Sequence, residues 1–296
     1  MSARPLLVTG ASGLLGWHLA RIASSSRNVI AAGGRHAPDL SAARCQQFDL
    51  ADPEATARAL EQWTPSVIIH CAAISKPNDC EADPEASHRI NVEATEQLAA
   101  YAAHHAIPFA FTSTDLVFDG QAGHYPETAT PNPVNRYGEQ KLAAEKAVLQ
   151  VYPDAAVCRC PLMYGIPSPH ASSFLGFMFE ALDSGTPCQL FSDEFRSVAN
   201  VEDVAAGLLR AIDSSWSGLF HLGGPDRLSR YDIGLILARH AGKDPALFTP
   251  LTQAELTMAA PRPPDVSFDS NKAYALGYKP MTAEVGLKKV VDARSA

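Results

Sequence analysis

Hydrophobic residues occur along the chain in short continuous runs, separated by stretches in which they recur every three or four positions. The continuous runs cover residues 5–10, 28–34, 66–73, 108–114 and 155–160. The stretches with helical spacing cover residues 14–23, 53–63, 85–105 and 138–150. Continuous apolar runs are typical of strands buried on both faces, and their alternation with amphipathic helices indicates a parallel sheet with helices on both sides. Residues 1–160 are therefore predicted to form a doubly wound α/β domain.

Beyond residue 160 this alternation weakens. Proline and glycine become frequent, as in "GIPSPH", "GTPC" and "APRPPD", while "VEDVAAGLLRAI" and "RYDIGLILARHA" predict helices. We expect residues 161–296 to form a smaller, mainly helical lobe. This lobe is expected to bind substrate over the carboxyl edge of the sheet and to be interleaved with the first domain.

A glycine-rich turn follows the first predicted strand. In "VTGASGLLGWHLA", glycines at positions 10, 13 and 16 permit a tight turn and let backbone N–H groups approach a pyrophosphate at the positive end of the next helix. The spacing is GxxGxxG, whereas the general dinucleotide fingerprint is GxGxxG, so a turn without a ligand stays an alternative. The predicted cofactor contacts in this Rossmann-like turn are Gly10, Ser12, Gly13, Leu14, Leu15 and Gly16.

Residues after the second and third predicted strands are candidates for binding the adenosine half of a cofactor. An acidic residue usually follows the second strand and binds the ribose hydroxyls, but Arg35 stands here and can pair with a 2′-phosphate. NADP(H) is therefore the favoured cofactor. NAD(H) stays an alternative because Asp39 lies close to the position of the usual acidic residue. A solvated Arg35 that binds no cofactor is a further alternative. Asp49 and Leu50 are predicted to flank the adenine, although "DLADPEA" also fits a helix start capped by Asp52.

Other candidates stand at strand ends, where ligands bind in an open α/β sheet. The fourth predicted strand ends in the small residues Cys71, Ala72 and Ala73, which leave space beside a cofactor. The fifth strand ends at Thr114, and Pro161 follows the sixth as a further cofactor contact. A strand-end threonine is by itself more often a cap or turn former.

The segment "RYGEQKLAAEKAVLQ" places Tyr137 four residues before Lys141, on one face of a predicted helix. A phenol with a pKa of about 10 is a poor acid–base group at neutral pH unless a nearby cation stabilises the phenolate. Lys141 supplies such a cation. The alternative is an ordinary helix start whose tyrosine packs and whose lysine is solvated.

Together these motifs resemble the extended short-chain dehydrogenase/reductases. The resemblance covers nearly the whole chain: TGxxGxxG at 9–16, small residues at 72–73, Asn91 in a long helix, Thr114, and YxxxK at 137–141. "FTSTDLVFDG", "NVEDVAAGLLRAI" and "RPPDVSFDSNKAYALGY" are similar to the dTDP-4-dehydrorhamnose reductase branch, which also contains the regulatory β subunit of methionine adenosyltransferase. "RCPLMYG" resembles that subunit at least as well as the reductases.

The resemblance implies catalytic roles for four residues. Lys141 binds the nicotinamide ribose, and Tyr137 donates a proton to a ketone oxygen as hydride reaches the ketone carbon. Thr114 holds that oxygen in place. Asn91 shapes the active-site end of its helix through water.

The resemblance also places Asp115, Arg196 and Arg262 at a substrate cleft. The planar guanidinium of arginine can donate two hydrogen bonds to a phosphate. For Arg196 and for Arg262, the alternative is a solvated side chain that binds no ligand. The implied function is NAD(P)H-dependent reduction of a sugar-nucleotide 4-ketone. Two alternatives stay open: a reductase or dehydrogenase of another sugar nucleotide or small carbonyl compound, and a non-catalytic, cofactor-binding regulatory subunit.

The composition of the chain argues against several classes of binding partner. The net charge of -8 and the sequence pI of about 5.7 argue against nucleic acid or an anionic membrane. No apolar run approaches the roughly 20 residues of a membrane span and no signal-peptide core is found, which favours the cytoplasm. The six cysteines show no paired metal-ligand spacing, and no proposed step requires a metal. Helices over 85–102 and 142–150 make a homodimer an expectation to test.

Overall fold

The computed structural model describes residues 4–171 and 173–295. Its strands are β1 (Leu6–Thr9), β2 (Val29–Gly33), β3 (Arg44–Gln47), β4 (Val67–His70), β5 (Phe109–Thr114), β6 (Ala156–Cys160), β7 (Met163–Tyr164), β8 (Cys188–Phe191), β9 (Phe195–Ser197), β10 (Ala199–Asn200), β11 (Gly218–His221), β12 (Arg227–Ser229) and β13 (Phe248–Leu251). Its α-helices are α1 (Leu14–Ala23), α2 (Pro53–Trp63), α3 (Pro77–Ala82), α4 (Pro84–His88), α5 (Ala94–His104), α6 (Arg136–Val151), α7 (Gly176–Ser184), α8 (Val201–Asp213), α9 (Arg230–His240), α10 (Asn271–Ala275) and α11 (Ala283–Ser295).

Seven of these strands form one parallel sheet in the order β3-β2-β1-β4-β5-β6-β11. The chain runs outward from β1 to β3, returns to β4 on the other side of β1, and continues outward. The strand order therefore reverses between β1 and β4, which opens the crevice where ligands bind in sheets of this kind. This arrangement confirms the doubly wound α/β fold predicted from the alternation of apolar runs and helices.

The outermost strand beside β6 comes from the later part of the chain. β11 pairs in parallel with β6, and α8, which precedes it, packs beside α1. Both elements lie beyond residue 160, so the later part of the chain contributes to the sheet layer. The division into residues 1–160 and 161–296 stays a prediction of domain boundaries.

Apolar helix faces cover the sheet on both sides. On one side α1 and α8 bury Leu19 and Leu208 against the strands, and on the other α5 and α6 bury Leu98 and Val148. Each of these side chains is fully removed from water, which stabilises the fold by about 1.5–3 kcal/mol per residue. Among the described residues, no helix is both long and apolar enough to cross a bilayer.

Side-chain caps fix where two of these helices begin. Asp52 accepts hydrogen bonds from two N–H groups of the first turn of α2, and Pro53 takes the first helical position. The segment "DLADPEA" is thus a capped helix start. Asn135 caps α6 by accepting from the N–H of Gly138 at 2.9 Å, which sets the start of the helix immediately before Tyr137.

The second lobe consists of short strand pairs and helices. β7 pairs with β10 and β8 with β13 in parallel, while β9 and β12 are antiparallel. Leu190, Leu237 and Leu287 contribute to its apolar core. The lobe meets the sheet where Arg196 of β9 forms an ion pair with Asp115, which follows β5. The lobe therefore contacts the carboxyl edge of the sheet.

Candidate active site

Thr114, Tyr137 and Lys141 meet at the carboxyl edge of the sheet. Thr114 ends β5, and Tyr137 and Lys141 lie on the buried face of α6. All three are buried, at 6%, 8% and 1% exposure respectively. The Thr114 hydroxyl lies close enough to the Tyr137 phenol to act on its pKa. The structure thus brings together the three residues that the sequence motifs singled out.

A close backbone contact holds α6 against the turn that follows β5. A Cβ atom at Gly138 would lie only 2.1 Å from the carbonyl oxygen of Leu116, so this position has room for glycine alone. Because Gly138 follows Tyr137 directly, the contact fixes how far the phenol stands from Thr114.

The Tyr137 phenol is in its protonated form. Burial raises the pKa of this phenol, the nearby Asp115 carboxylate raises it further, and the neighbouring Thr114 hydroxyl opposes the rise. The YxxxK motif predicts that the Lys141 cation lowers this pKa. Instead, removal from water dominates. The phenol is therefore protonated at neutral pH, which is the form that can donate a proton.

The pKa of the Lys141 ammonium is only slightly above neutral pH. Burial lowers the pKa of its ammonium to about 8, and the Glu145 carboxylate acts in the opposite direction. The ammonium stands over the ring of Phe111, 4.0 Å from the ring centroid, in a cation–π contact. Lys141 is therefore charged at neutral pH and loses its charge as the pH rises through about 8.

Asn91 lies in a π-helical turn, Arg89–Glu93, between α4 and α5. Such turns are frequent at functional sites. Its Oδ1 accepts from the N–H of Ile74 at 2.8 Å, and its Nδ2 donates to the carbonyl oxygen of Ile74 at 3.1 Å and to Gln140 Oε1 at 2.9 Å. The predicted role of Asn91 through water stays a prediction beside these direct bonds. These bonds join the loop after β4 to α6 next to Lys141.

A buried hydrogen-bond chain connects the glycine turn to the helix of Asn91, and the sequence did not suggest it. Thr9 Oγ1 lies 2.6 Å from His70 Nδ1, and His70 Nε2 lies 2.9 Å from Thr95 Oγ1. Thr95 donates its own proton to the carbonyl oxygen of Asn91, so His70 carries its proton on Nε2 and accepts from Thr9. Burial and then the charge of Lys141 lower the pKa of His70 to about 3, which keeps the ring neutral.

The turn between β1 and α1 fits the pyrophosphate of a dinucleotide. A Cβ atom at Gly16 would lie 2.3 Å from the carbonyl oxygen of Gly10, and one at Gly10 would lie 2.6 Å from the backbone nitrogen of Ala72. Among the described residues, no side chain caps α1 at Gly13 and no acidic residue stands in its first turn. The first N–H groups of α1 are thus available to a phosphate. The other residues predicted to contact the cofactor here are Ser12, in the turn, and Leu14 and Leu15, at the start of α1.

The remaining predicted cofactor residues follow strand ends at the same edge. Arg35 comes after β2 and is exposed, and Asp49 follows β3, where its carboxylate accepts from the N–H of Ala51 at 2.9 Å. Leu50 also follows β3, Cys71, Ala72 and Ala73 follow β4, and Pro161 follows β6.

A segment after β7, residues 165–171, lies on the glycine turn. The Ser168 hydroxyl donates to the carbonyl oxygen of Ser12 at 3.3 Å. The ring of His170 stacks on that of His36, which adjoins Arg35, with centroids 4.8 Å apart. The sequence carried no signal for this contact, because it joins residues more than a hundred positions apart.

Charged residues from the second lobe face Thr114. Arg196 lies 3.0 Å from Asp115 Oδ1, and the Thr114 hydroxyl donates to the same oxygen at 3.2 Å. Burial raises the pKa of Asp115, and Arg196 opposes that rise. The predicted substrate residues Asp115 and Arg196 are therefore joined in one buried ion pair beside the Tyr137 phenol.

Glu194 and Arg230 extend this charged cluster and were not predicted. Glu194 is 3% exposed, and its Oε2 lies 3.7 Å from Arg230 Nε. Its Oε1 has no hydrogen-bond partner within the described part of the chain. Burial lowers the pKa of Arg262, and both Glu194 and Arg196 lie close enough to act on its charge. Arg230 and Arg262 thus lie close to one buried carboxylate, and Arg196 lies close to both of these arginines.

Comparisons with known proteins agree with this architecture. A methionine adenosyltransferase 2 subunit beta from Xenopus laevis is 32% identical over 297 residues, which is 98% of this chain and 87% of the relative. A probable low-salt glycan biosynthesis reductase, Agl14, from Haloferax volcanii is 32% identical over 282 residues, 94% of each chain. The crystal structure of a dTDP-4-dehydrorhamnose reductase from Clostridium acetobutylicum has a TM-score of 0.86 at 25% identity, covering 99% of this chain and 100% of that one.

The parallel sheet, the glycine turn at its switch point and the strand-end site define a Rossmann-like α/β protein. The chain belongs to the RmlD substrate binding domain family, whose model matches residues 4–295. This finding confirms the resemblance to the dTDP-4-dehydrorhamnose reductase branch that the sequence motifs indicated.

Proposed function

We propose that this protein is an NAD(P)H-dependent reductase of a sugar-nucleotide 4-ketone. The observation that carries the proposal is the buried group of Thr114, Tyr137 and Lys141 beside a glycine turn with free N–H groups. Similarity to a dTDP-4-dehydrorhamnose reductase and to a glycan biosynthesis reductase supports the reaction class.

The cofactor would lie across the switch point of the sheet. The glycine turn would bind its pyrophosphate, and Arg35 would pair with a 2′-phosphate, so NADP(H) is favoured and NAD(H) is the alternative. Lys141 would bind the nicotinamide ribose. When bound, the cofactor supplies a hydride to the carbonyl carbon of the substrate.

The protein's own residues supply the proton and hold the carbonyl oxygen. Tyr137, protonated in the resting site, donates its phenolic proton to the ketone oxygen. Thr114 donates a hydrogen bond to the same oxygen and fixes its distance from the phenol. The Lys141 ammonium stabilises the phenolate that remains until a proton returns from solvent. Asn91 holds α6 through Gln140.

The charged cluster of the second lobe would bind the diphosphate of the substrate. Arg196, Arg230 and Arg262 bring three positive charges together with the two carboxylates of Asp115 and Glu194, so the cluster keeps a net positive charge that an anion would neutralise. A diphosphate accepts several hydrogen bonds from guanidinium groups. The free Oε1 of Glu194 can accept a hydroxyl of the sugar.

The direct test is oxidation of NADPH, followed by absorbance, with purified protein and enzymatically prepared dTDP-4-dehydro-L-rhamnose. Turnover with NADPH is the expected result. Binding of NADPH without turnover of this or any related ketosugar nucleotide would contradict the proposal. Substrate omitted from the same mixture is the control for slow NADPH decay.

Replacing Arg35 by alanine tests the cofactor preference. A hydrogen bond to a charged group contributes about 1.5–3 kcal/mol, so we expect NADPH to bind roughly tenfold or more weakly. NADH lacks the 2′-phosphate, and its affinity should hardly change. Fluorescence titration of both cofactors measures the two affinities.

The matched control is Arg58→Ala, which removes an exposed arginine from α2. Equal losses for NADPH and NADH in Arg35→Ala would show that this arginine does not bind the 2′-phosphate.

A second candidate function is favoured by the relatives named methionine adenosyltransferase 2 subunit beta. In that case the protein would bind the cofactor, carry out no turnover and act on a partner enzyme. The two functions separate in one assay, because only the reductase consumes NADPH with a ketosugar nucleotide. A homodimer and a cytoplasmic location stay predictions for either function.

A further inference from the structure

One face of α6 carries three buried polar residues at a spacing of four. Tyr137, Lys141 and Glu145 follow one another along this face, and Glu145 is only 2% exposed. Side chains four apart lie one above the other on a helix. The third residue has no role in the reaction proposed above.

Glu145 is held in a closed network behind Lys141. Arg159 of β6 donates two hydrogen bonds to the Glu145 carboxylate, at 2.8 and 2.7 Å. Arg159 also lies 3.3 Å from His221 Nε2, and its guanidinium packs over Phe118. A carboxylate and a guanidinium this deeply buried are stable only as a pair.

Groups from several elements face the Lys141 ammonium. They are Glu145 of α6, His70 at the end of β4 and Cys71 after it, Phe111 of β5, Cys160 of β6 and Cys80 of α3. Burial raises the pKa of Cys160 to about 12, and it also raises the pKa of Cys71 and of Cys80. These thiols are neutral at physiological pH, as are His70 and Tyr137. Of the residues named here around Lys141, Glu145 is thus the one that provides a negative charge at physiological pH.

We propose that Glu145 is a positioning residue of the Tyr137–Lys141 pair: its carboxylate, oriented by Arg159, keeps Lys141 charged inside the protein. The role of Lys141 in this inference rests on the proposed function. The charge of Lys141 does not, because it can be measured without any reaction.

The effect of removing Glu145 has a definite sign. Glu145→Gln removes the negative charge one turn from Lys141 and leaves the positive charge of Arg159 unpaired. Both changes disfavour the ammonium, so the pKa of Lys141 falls from about 8. A much larger fraction of Lys141 would then be neutral at physiological pH.

The experiment is 13C NMR of protein labelled at the lysine Cε atoms, titrated with base. The resonance missing from Lys141→Met identifies Lys141. In Glu145→Gln we expect its pKa to fall by about one pH unit or more, the usual effect of a nearby opposite charge. The matched control is Glu139→Gln, an exposed glutamate of the same helix, which should leave the titration unchanged.

Glu145→Gln with Arg159→Met keeps the test valid if the single variant does not fold, because no buried charge is left unpaired. Its Lys141 pKa should also fall, by less than in the single variant. An unchanged Lys141 pKa in whichever of these variants folds would overturn the proposal. Absence of reductase activity would overturn the proposed function and leave the titration result standing. Where turnover is observed, the loss of kcat at high pH should move to lower pH together with the Lys141 resonance.

Discussion

Tyr137→Phe lowers kcat for the ketosugar nucleotide at least roughly 100-fold, because general acid catalysis contributes about 10² to 10⁴ and phenylalanine has no proton to give. The substitution removes one oxygen atom from a buried site and leaves the ring in place, so the fold and NADPH binding should persist. Steady-state kinetics with NADPH, together with fluorescence titration of the cofactor, measure both parts of the expectation.

The control for this result is Tyr152→Phe. Tyr152 is the C-terminal cap residue of the same helix, and its hydroxyl donates to the carbonyl oxygen of Ile107 at 3.1 Å, far along the helix from Thr114. Its loss should leave kcat nearly unchanged. Turnover by Tyr137→Phe at the rate of the unmodified protein would remove the phenol from the mechanism.

Gly138→Ala should be almost as damaging, although it adds only a methyl group and touches no substrate. The new Cβ would lie 2.1 Å from the carbonyl oxygen of Leu116 and 2.9 Å from Pro133, so α6 must move away from the turn after β5. Overpacking of this kind costs about 1–3 kcal/mol in the free energy of unfolding. A displacement of Tyr137 by about 1 Å can lower kcat about 100-fold.

Thermal unfolding and kcat for Gly138→Ala should be compared with the same measurements for Gly176→Ala. Gly176 begins α7, and a Cβ there would meet no atom within 4 Å. That variant should keep its activity and its melting temperature. If Gly138→Ala retained both, the contact with Leu116 would not be what places Tyr137.

The elements that position the site could be predicted because their signals are local. The helices over residues 14–23 and 53–63 match α1 and α2, since apolar spacing in both, and the Asp52 cap in α2, act within a few positions. Thr114, Tyr137 and Lys141 could be expected to meet because parallel strand ends share one edge and residues four apart share one helix face.

Features that depend on tertiary contacts could not be predicted. β11 has only four residues, and its partner strand β6 lies far earlier in the chain. Glu194 and Arg230 come together only when β9 and α9 fold into the second lobe. The rise in the pKa of Tyr137 follows from burial, which a sequence motif does not reveal.

The position of β11 has a consequence for biosynthesis. While the ribosome extends the chain beyond β6, the outer edge of that strand has no partner until residue 221 has emerged, and α1 lacks the covering helix α8. Unpaired strand edges readily pair with other chains. Nascent chains of intermediate length are therefore the species most prone to aggregate, and a truncated gene product ending near residue 160 would keep that hazard permanently.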